Sequence, residues 1–307
     1  MSNTLHLLTG PTGVGKSALA LAWARAHGAE ILSCDALQVY RGMDIGTAKP
    51  DRVERAEVPH HGLDLCDPAQ PYSVVAYRDY AARVVAEIQA RGRAVLVAGG
   101  SGFYLKCFFA PVADDIFIPE SIEVEVRALE KSGGLPALVA RLQAASPAGT
   151  GAVDLRNPRR VARALVRCLA SGRSVPELAA AFARSGTPFD LFEKCLVRLE
   201  REPEDLLEHI RTRTRHMLAR GLVDEVRKLA GVLRANPAAG AAIGYRETLA
   251  WLDAGAKAPL AELQERIVLH TMQLVRKQRT WFRTQLPEHQ TINLTEGPMT
   301  DGSALFA

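Results

Sequence analysis

Apolar runs in this 307-residue sequence are short. The five residues 94–98 (Ala-Val-Leu-Val-Ala) are the size of one strand, and no run reaches the ~18–20 residues of a membrane span. Cysteine is scarce: five residues, at 34, 66, 107, 168 and 195, an odd number with no Cys-x-x-Cys pair. That spacing excludes a disulfide framework and a zinc ribbon, and leaves small, reduced hydrophobes. Neither charge sign dominates, with 38 Lys+Arg against 34 Asp+Glu and a net charge of +4. An anionic partner must therefore be sought in local clusters and not in the overall balance. Met-Ser-Asn-Thr offers neither a basic n-region nor a small-residue cleavage site, so no secretory signal is expected and reduced thiols point to a cytoplasmic protein. At 48% hydrophobic and 23% charged residues the composition is that of a globular chain, which excludes a disordered, collagen-like or coiled-coil protein.

Against those absences stands a regular alternation of strand and helix signals. Leu5-His6-Leu7-Leu8-Thr9 is an apolar run that stops at Gly10-Pro11 and reads as a buried strand. Residues 16–27, rich in Ala and Leu, read as a helix closed by Gly28. Strands are predicted at 30–34 and 94–98, the second apolar throughout, as in a parallel sheet covered on both faces. A helix is predicted between them at 74–90. Residues 35–72, containing Gly42, Gly46, Pro50, Pro59, Pro68 and Pro71, read as a long loop of the kind that is functional or carries short elements. Such alternation means an α/β fold with a parallel sheet. From 118 to about 188 only helical signals occur. Strands return at 195–199 and 291–294, with helices around 204–218, 222–234, 243–254 and 260–284 between them. The expected organisation is a discontinuous α/β core, residues 1–117 and 190–307, with a helical insertion at 118–189, C-terminal helices and a frayed tail over 296–307.

Gly10-Pro11-Thr12-Gly13-Val14-Gly15-Lys16-Ser17 matches G-x-x-x-x-G-K-[ST] between a predicted strand and a predicted helix, the context this P-loop motif needs. The glycines let backbone N–H groups curl around an anion, and the helix N-terminus adds partial positive charge. Lys16 neutralises terminal phosphate oxygens, and Ser17 offers a hydroxyl to Mg2+. The pattern specifies a polyphosphate without saying which. Strand 94–98 ends in Gly99-Gly100-Ser101-Gly102, where a nucleotide-hydrolysing P-loop protein has an Asp to order the metal. This argues against a motor-type NTPase and permits a small-molecule kinase or an enzyme that expels diphosphate. Asp35 closes the second strand, expected beside the first, and strand ends line the ligand crevice of such sheets. It is a candidate general base or nucleophile-orienting carboxylate, with turn capping as the competing role. His60-His61 has no third ligand at metal spacing and reads as loop packing.

Two basic stripes complete the picture. Asn157-Pro158 looks like an N-cap and N1 pair, and Arg156, Arg160, Arg163 and Arg167 recur at four, three and four residues, on one helical side, with Arg159 extra and Asp154 the only nearby acid. Arg276, Arg279 and Arg283 repeat likewise, with Lys277 between them and Trp281-Phe282 alongside. A solvated helix face mixes both signs, whereas long basic side chains also cloak apolar surface. Two stripes together with a phosphate loop favour nucleic acid. A non-catalytic RNA-binding module would leave the P-loop without a use.

From Ser33-Cys34-Asp35-Ala36-Leu37-Gln38-Val39-Tyr40 through Asp44-Ile45-Gly46-Thr47-Ala48-Lys49-Pro50, the sequence resembles the tRNA dimethylallyltransferases, isopentenyl transferases that modify the adenosine just 3′ of certain anticodons. The resemblance continues through Pro59-His60-His61, Asp67-Pro68, Tyr72-Ser73, Gly99-Gly100-Ser101-Gly102-Phe103-Tyr104, Asn157-Pro158-Arg159-Arg160, Ala242-Ile243-Gly244-Tyr245-Arg246-Glu247 and Gln278-Arg279-Thr280-Trp281-Phe282-Arg283, nearly the whole chain. It implies a P-loop core with a helical insertion, a P-loop that holds dimethylallyl diphosphate with Mg2+, and transfer of the dimethylallyl group to N6 of adenosine 37. By the same resemblance Asp35 is the base that takes the N6 proton, Ser101 contacts diphosphate and RNA, and Arg213 with Lys16 neutralises the diphosphate. The segments matching tRNA contacts are Asp35, Ala36, Leu37 and Gln38; Arg159, Arg160, Val161, Ala162 and Arg163; and the 272–283 helix with Arg276, Lys277, Gln278, Arg279 and Arg283. Ala36 stands where the family usually has Ser, Met272 where Arg is frequent, and Arg276-Lys277 reverses a common order. An isopentenyltransferase acting on free AMP is the near alternative, but it needs no such RNA-sized basic surface. The partners expected are tRNA and dimethylallyl diphosphate, with no membrane and a monomeric enzyme.

Overall fold

The computed structural model describes residues 3–297 and 302–306. Six strands form one all-parallel sheet: β1 (Thr4–Thr9), β2 (Glu30–Ser33), β3 (His60–His61), β4 (Val95–Ala98), β5 (Glu193–Glu200) and β6 (Gln290–Asn293). Their order is β3-β2-β4-β1-β5-β6. All four residues of β2 and the first three of β4 are buried, which is how a parallel strand covered on both faces looks. Leu5, Leu7 and Leu8 of β1 are sealed completely, each contributing roughly 1.5–3 kcal/mol of burial. The helices are α1 (Lys16–His27), α2 (Arg52–Glu57), α3 (Val74–Ala90), α4 (Gly102–Lys106), α5 (Glu120–Ala145), α6 (Pro158–Ser171), α7 (Val175–Ala183), α8 (Pro203–Ala219), α9 (Leu222–Ala235), α10 (Pro237–Gly240), α11 (Tyr245–Asp253) and α12 (Leu260–Gln285).

Two points of the strand reading need correction. β2 does not lie beside β1, because β4 sits between them. Neighbourhood in a sheet is a tertiary property, and the crossover through α3 brings β4 into the gap. His60-His61 is not loop packing but the edge strand β3, with His61 against the Glu30 carboxylate at 2.7 Å and Arg91 holding the same carboxylate in a two-pronged contact. Among the described residues no group of three or more His, Cys, Asp or Glu is placed to hold a metal ion.

The chain divides into two compact units, Met1–Phe109 with Pro188–Ala307, and Ala110–Thr187. The first carries the sheet. The second is helical, with α5 broken at Gly134, whose backbone is non-helical, and packs Val126, Leu138 and Leu142 against Val161, Leu165 and Cys168 of α6. The tail is not frayed where it is described. Residues 302–304 form a 3-10 turn, Leu305 is buried, and Phe306 packs edge-on against Trp23 and His6. The remainder of the expected tail, residues 298–301 and 307, lies outside the described residues. Among the described residues no helix is long and apolar enough to cross a membrane.

Candidate active site

The P-loop leaves the C-terminal end of β1 and enters α1, so its N–H groups converge at the carboxyl edge of the sheet. Gly10, Gly13 and Gly15 take φ of 147°, 83° and 109°, backbone that a side chain would strain. Lys16 Nζ donates to the carbonyls of Gly10 and Pro11 at 2.8 and 2.9 Å. Ser17, in the first turn of α1, lines the same cavity. That cavity has a volume of about 710 Å³ and is walled by the P-loop, the loops after β2 and β4, and faces of α8 and α12.

Asp35, Ser101, Lys16 and Arg213 all line it. They come from four separate elements: the loop after β2, the loop after β4, α1 and α8. Asp35 Oδ1 accepts from Leu37 N–H at 2.8 Å. Its Oδ2 has no hydrogen-bond partner among the described residues. Capping and exposure to the cavity therefore coexist, the cap fixing the carboxylate's rotamer. Ser101 Oγ accepts from Ala36 N–H at 2.9 Å, joining the loops of the adjacent strands β2 and β4. Burial, with the nearby Arg213 charge second, brings the Lys16 ammonium down to about 8. Burial likewise lowers Arg213, opposed by the Asp35 carboxylate. Two partly desolvated cations and one carboxylate therefore line the same cavity, an arrangement primed for a multivalent anion.

The loop carrying Asp35, Ala36, Leu37 and Gln38 is fixed from behind. Gln38 accepts from Ser33 Oγ at 2.7 Å and donates to the carbonyls of Thr47 and Ala48. The Glu225 carboxylate accepts from the N–H groups of Asp44, Ile45 and Gly46 at 3.1, 2.8 and 3.2 Å, and from the Tyr245 hydroxyl. Lys49, its side chain sealed, is spent on Tyr40 O, Asp44 and Asp64. Sequence reasoning did not single out Glu225, and gave Lys49 no role of its own. Lys49 and Tyr245 stood in resembling strings, and Glu225 carried no local signal because the backbone N–H groups it accepts from lie about 180 positions away.

The basic stripes are only partly what their spacing suggested. On α6, Arg159, Arg160 and Arg163 are exposed. Arg156 precedes the helix, whose N-cap is Asn157. Arg167 is engaged by Asp114, an acid that spacing could not reveal. Val161 is fully buried in the unit's core, so its side chain is withheld from any RNA contact, and Ala162 is half-buried. On α12, Arg276, Lys277 and Arg283 are exposed, whereas Arg279 is bound to Glu200 at 3.0 Å. Gln278 turns inward to the P-loop: its Oε1 accepts from Thr12 N–H at 3.0 Å.

The family model described as IPP transferase matches residues 38–285. The chain belongs to the IPP transferase family. A tRNA dimethylallyltransferase of Opitutus terrae is 51% identical over 98% of this chain and 96% of that protein. One of Deinococcus radiodurans is 38% identical over 92% and 90%. Among solved structures, the full-length tRNA isopentenylpyrophosphate transferase of Bacillus halodurans superposes with a TM-score of 0.65 at 31% identity, covering 96% of this chain and 91% of that one. A eukaryotic dimethylallyltransferase acting on tRNA shares the fold with a TM-score of 0.83 at 23% identity, over 99% of this chain and 77% of its own. In this IPP transferase, then, the P-loop and Asp35 meet in one cavity on a fold shared with those enzymes.

Proposed function

We propose that this chain transfers a dimethylallyl group from dimethylallyl diphosphate to the N6 amine of adenosine 37 in tRNA. The observation that carries the reading is the convergence of Lys16, Arg213, Asp35 and Ser101, from four separate elements, on one cavity. An exocyclic adenine amine is a weak nucleophile, and diphosphate departs only when its growing charge is stabilised. P-loop N–H groups, Lys16 and Arg213 are preorganised for that charge. In the step itself the N6–C1 bond forms, the C1–O bond to diphosphate breaks with its electron pair, and Asp35 takes the N6 proton. Ser101, already tied to Ala36, stands where both substrates meet. A base stacked in an anticodon loop cannot reach such a pocket and has to be extruded, with Arg159, Arg160, Arg163, Arg276, Lys277 and Arg283 gripping the RNA backbone.

Mg2+ fits the residues present. Ser17 Oγ has no protein hydrogen bond among the described residues, and the P-loop Ser/Thr hydroxyl is the group that meets a Mg2+ held otherwise by substrate phosphates and water. When bound it would neutralise diphosphate charge. The reading takes the enzyme as a cytoplasmic monomer.

Incubation with labelled dimethylallyl diphosphate, unmodified tRNA, AMP and ATP tests it. Expected are one added C5 unit at the adenosine beside the anticodon, no product on AMP and no tRNA-stimulated ATP hydrolysis. Asp35→Asn keeps volume but cannot take a proton, and is expected to slow single-turnover transfer by about 10²–10⁴-fold. Brisk ATP hydrolysis without prenylated product would instead mark a P-loop kinase or ATPase.

A further inference from the structure

The carboxamide of Gln278 is engaged at both ends. Its Oε1 accepts from Thr12 N–H in the P-loop at 3.0 Å, and its Nε2 donates to the Gly100 carbonyl at 2.9 Å. One side chain thus ties the loop after β1 to the loop after β4. Gly100 makes room for it: a Cβ there would lie 2.9 Å from Gln278 Nε2 and 3.6 Å from Lys16 Nζ. One turn along α12, Trp281 lies so close to Gly102 that a Cβ would meet its ring at 2.6 Å. The glycines after β4 therefore let α12 approach the phosphate loop closely.

The neighbouring residue makes a second strut. Arg279 donates to Glu200 at 3.1 Å and to the Arg201 carbonyl, and Arg201 Nε donates to the Val14 carbonyl at 3.0 Å, braced by Asp205 at 2.7 Å. The P-loop is thereby gripped at Thr12 and at Val14, on either side of Gly13. A loop with three positive-φ glycines is conformationally permissive, so its amide array is only as well aimed as the groups that hold it.

We propose that Gln278 is a positioning residue that holds the P-loop in its anion-binding form. With the Arg279–Arg201 strut, it makes diphosphate affinity depend on α12. The proposal rests on the P-loop's being the donor diphosphate site. It differs from the role the family resemblance implied, direct contact with tRNA, because both ends of the carboxamide are already committed inside the site. Interleaved on the same helix, Arg276 and Arg283 remain exposed and outside the cavity lining, whereas Lys277, though exposed, lines the cavity, so α12 turns one side to the P-loop and another to solvent.

Gln278→Leu removes both hydrogen bonds at similar volume. Calorimetry with inorganic diphosphate and Mg2+, and with dimethylallyl diphosphate, both without tRNA, is expected to show roughly 10- to 30-fold weaker binding, the equivalent of two hydrogen bonds. tRNA affinity by filter retention is expected to stay within about twofold, and in steady state the KM for donor rises while that for tRNA holds. Arg201→Ala removes the other strut without altering a cavity residue, and is expected to move the same readouts in the same direction. Unchanged diphosphate affinity in folded Gln278→Leu, or a loss of tRNA affinity as large as the loss for diphosphate, overturns the proposal. If that variant does not fold, unchanged diphosphate affinity in Arg201→Ala does so. Failure of the wild-type protein to bind either diphosphate would count against the donor assignment itself.

Discussion

Lys16 concentrates the electrostatics of the site in one titration. Its ammonium is brought down to about 8 by burial and by Arg213, so it is charged below that pH and largely neutral above it. A neutral amine cannot offset diphosphate charge, whereas a bound diphosphate pulls the proton back on. Donor affinity is therefore expected to be flat below about pH 7, to fall above pH 8, and to be accompanied near pH 8 by proton uptake. Calorimetry in two buffers of different ionisation enthalpy reads that uptake directly. Lys16→Arg keeps its charge throughout and should bind more weakly but with a flat profile. A wild-type affinity that ignores pH between 7 and 9 would mean that Lys16 keeps its proton across that range in the free protein. At this scale the sequence was informative about identity and poor on partners. Lys16 and Asp35 follow from a motif and a strand end. Glu225, 179 positions from Gly46, is visible only once the chain has folded.

At the scale of elements, α1 and α6 were legible because their ends are written locally. Gly28 closes α1 in the left-handed region, and Asn157 caps α6 by accepting from Arg160 N–H at 3.3 Å. The two-residue β3 has no periodicity to read, and the place of β4 between β1 and β2 is set by packing that no local pattern encodes. The same limit explains the arginines: spacing finds a helix face but not the acid opposite it, so Arg167 and Arg279 were counted with residues that are free. The α6 face reduces to Arg159, Arg160 and Arg163. Replacing Arg160 and Arg163 together by Ala is expected to weaken tRNA binding and flatten its salt dependence, since each lost phosphate contact removes ~0.7–0.9 from the log–log slope. Donor affinity should not move. Filter retention across salt concentrations measures the slope. An unchanged slope in the folded variant would leave these side chains only a solvated surface.

For the whole molecule, the decisive feature is that β5 lies directly beside β1, with Thr4 paired to Glu193 and Thr9 to Arg198, although the helical unit 110–187 intervenes in sequence. On the core side of that excursion the chain leaves at Phe108 and returns at Phe189, whose rings are 4.5 Å apart. Closing such a span as flexible chain costs on the order of 4 kcal/mol, growing with the logarithm of its length. The helical unit can shorten the span before the sheet exists, because its α5–α6 packing joins segments near each other in sequence. Refolding is therefore expected to proceed from the inserted helices to the central strands, in the order of contact range. Pulsed hydrogen exchange should find amides of α5 and α6 protected before those of β1 and β5. Variants that loosen the α5–α6 core, such as Leu165→Ala, should slow β5 docking as well as destabilise their own unit. The phosphate loop, which begins where β1 ends, would then be among the last parts of the chain to acquire its working shape.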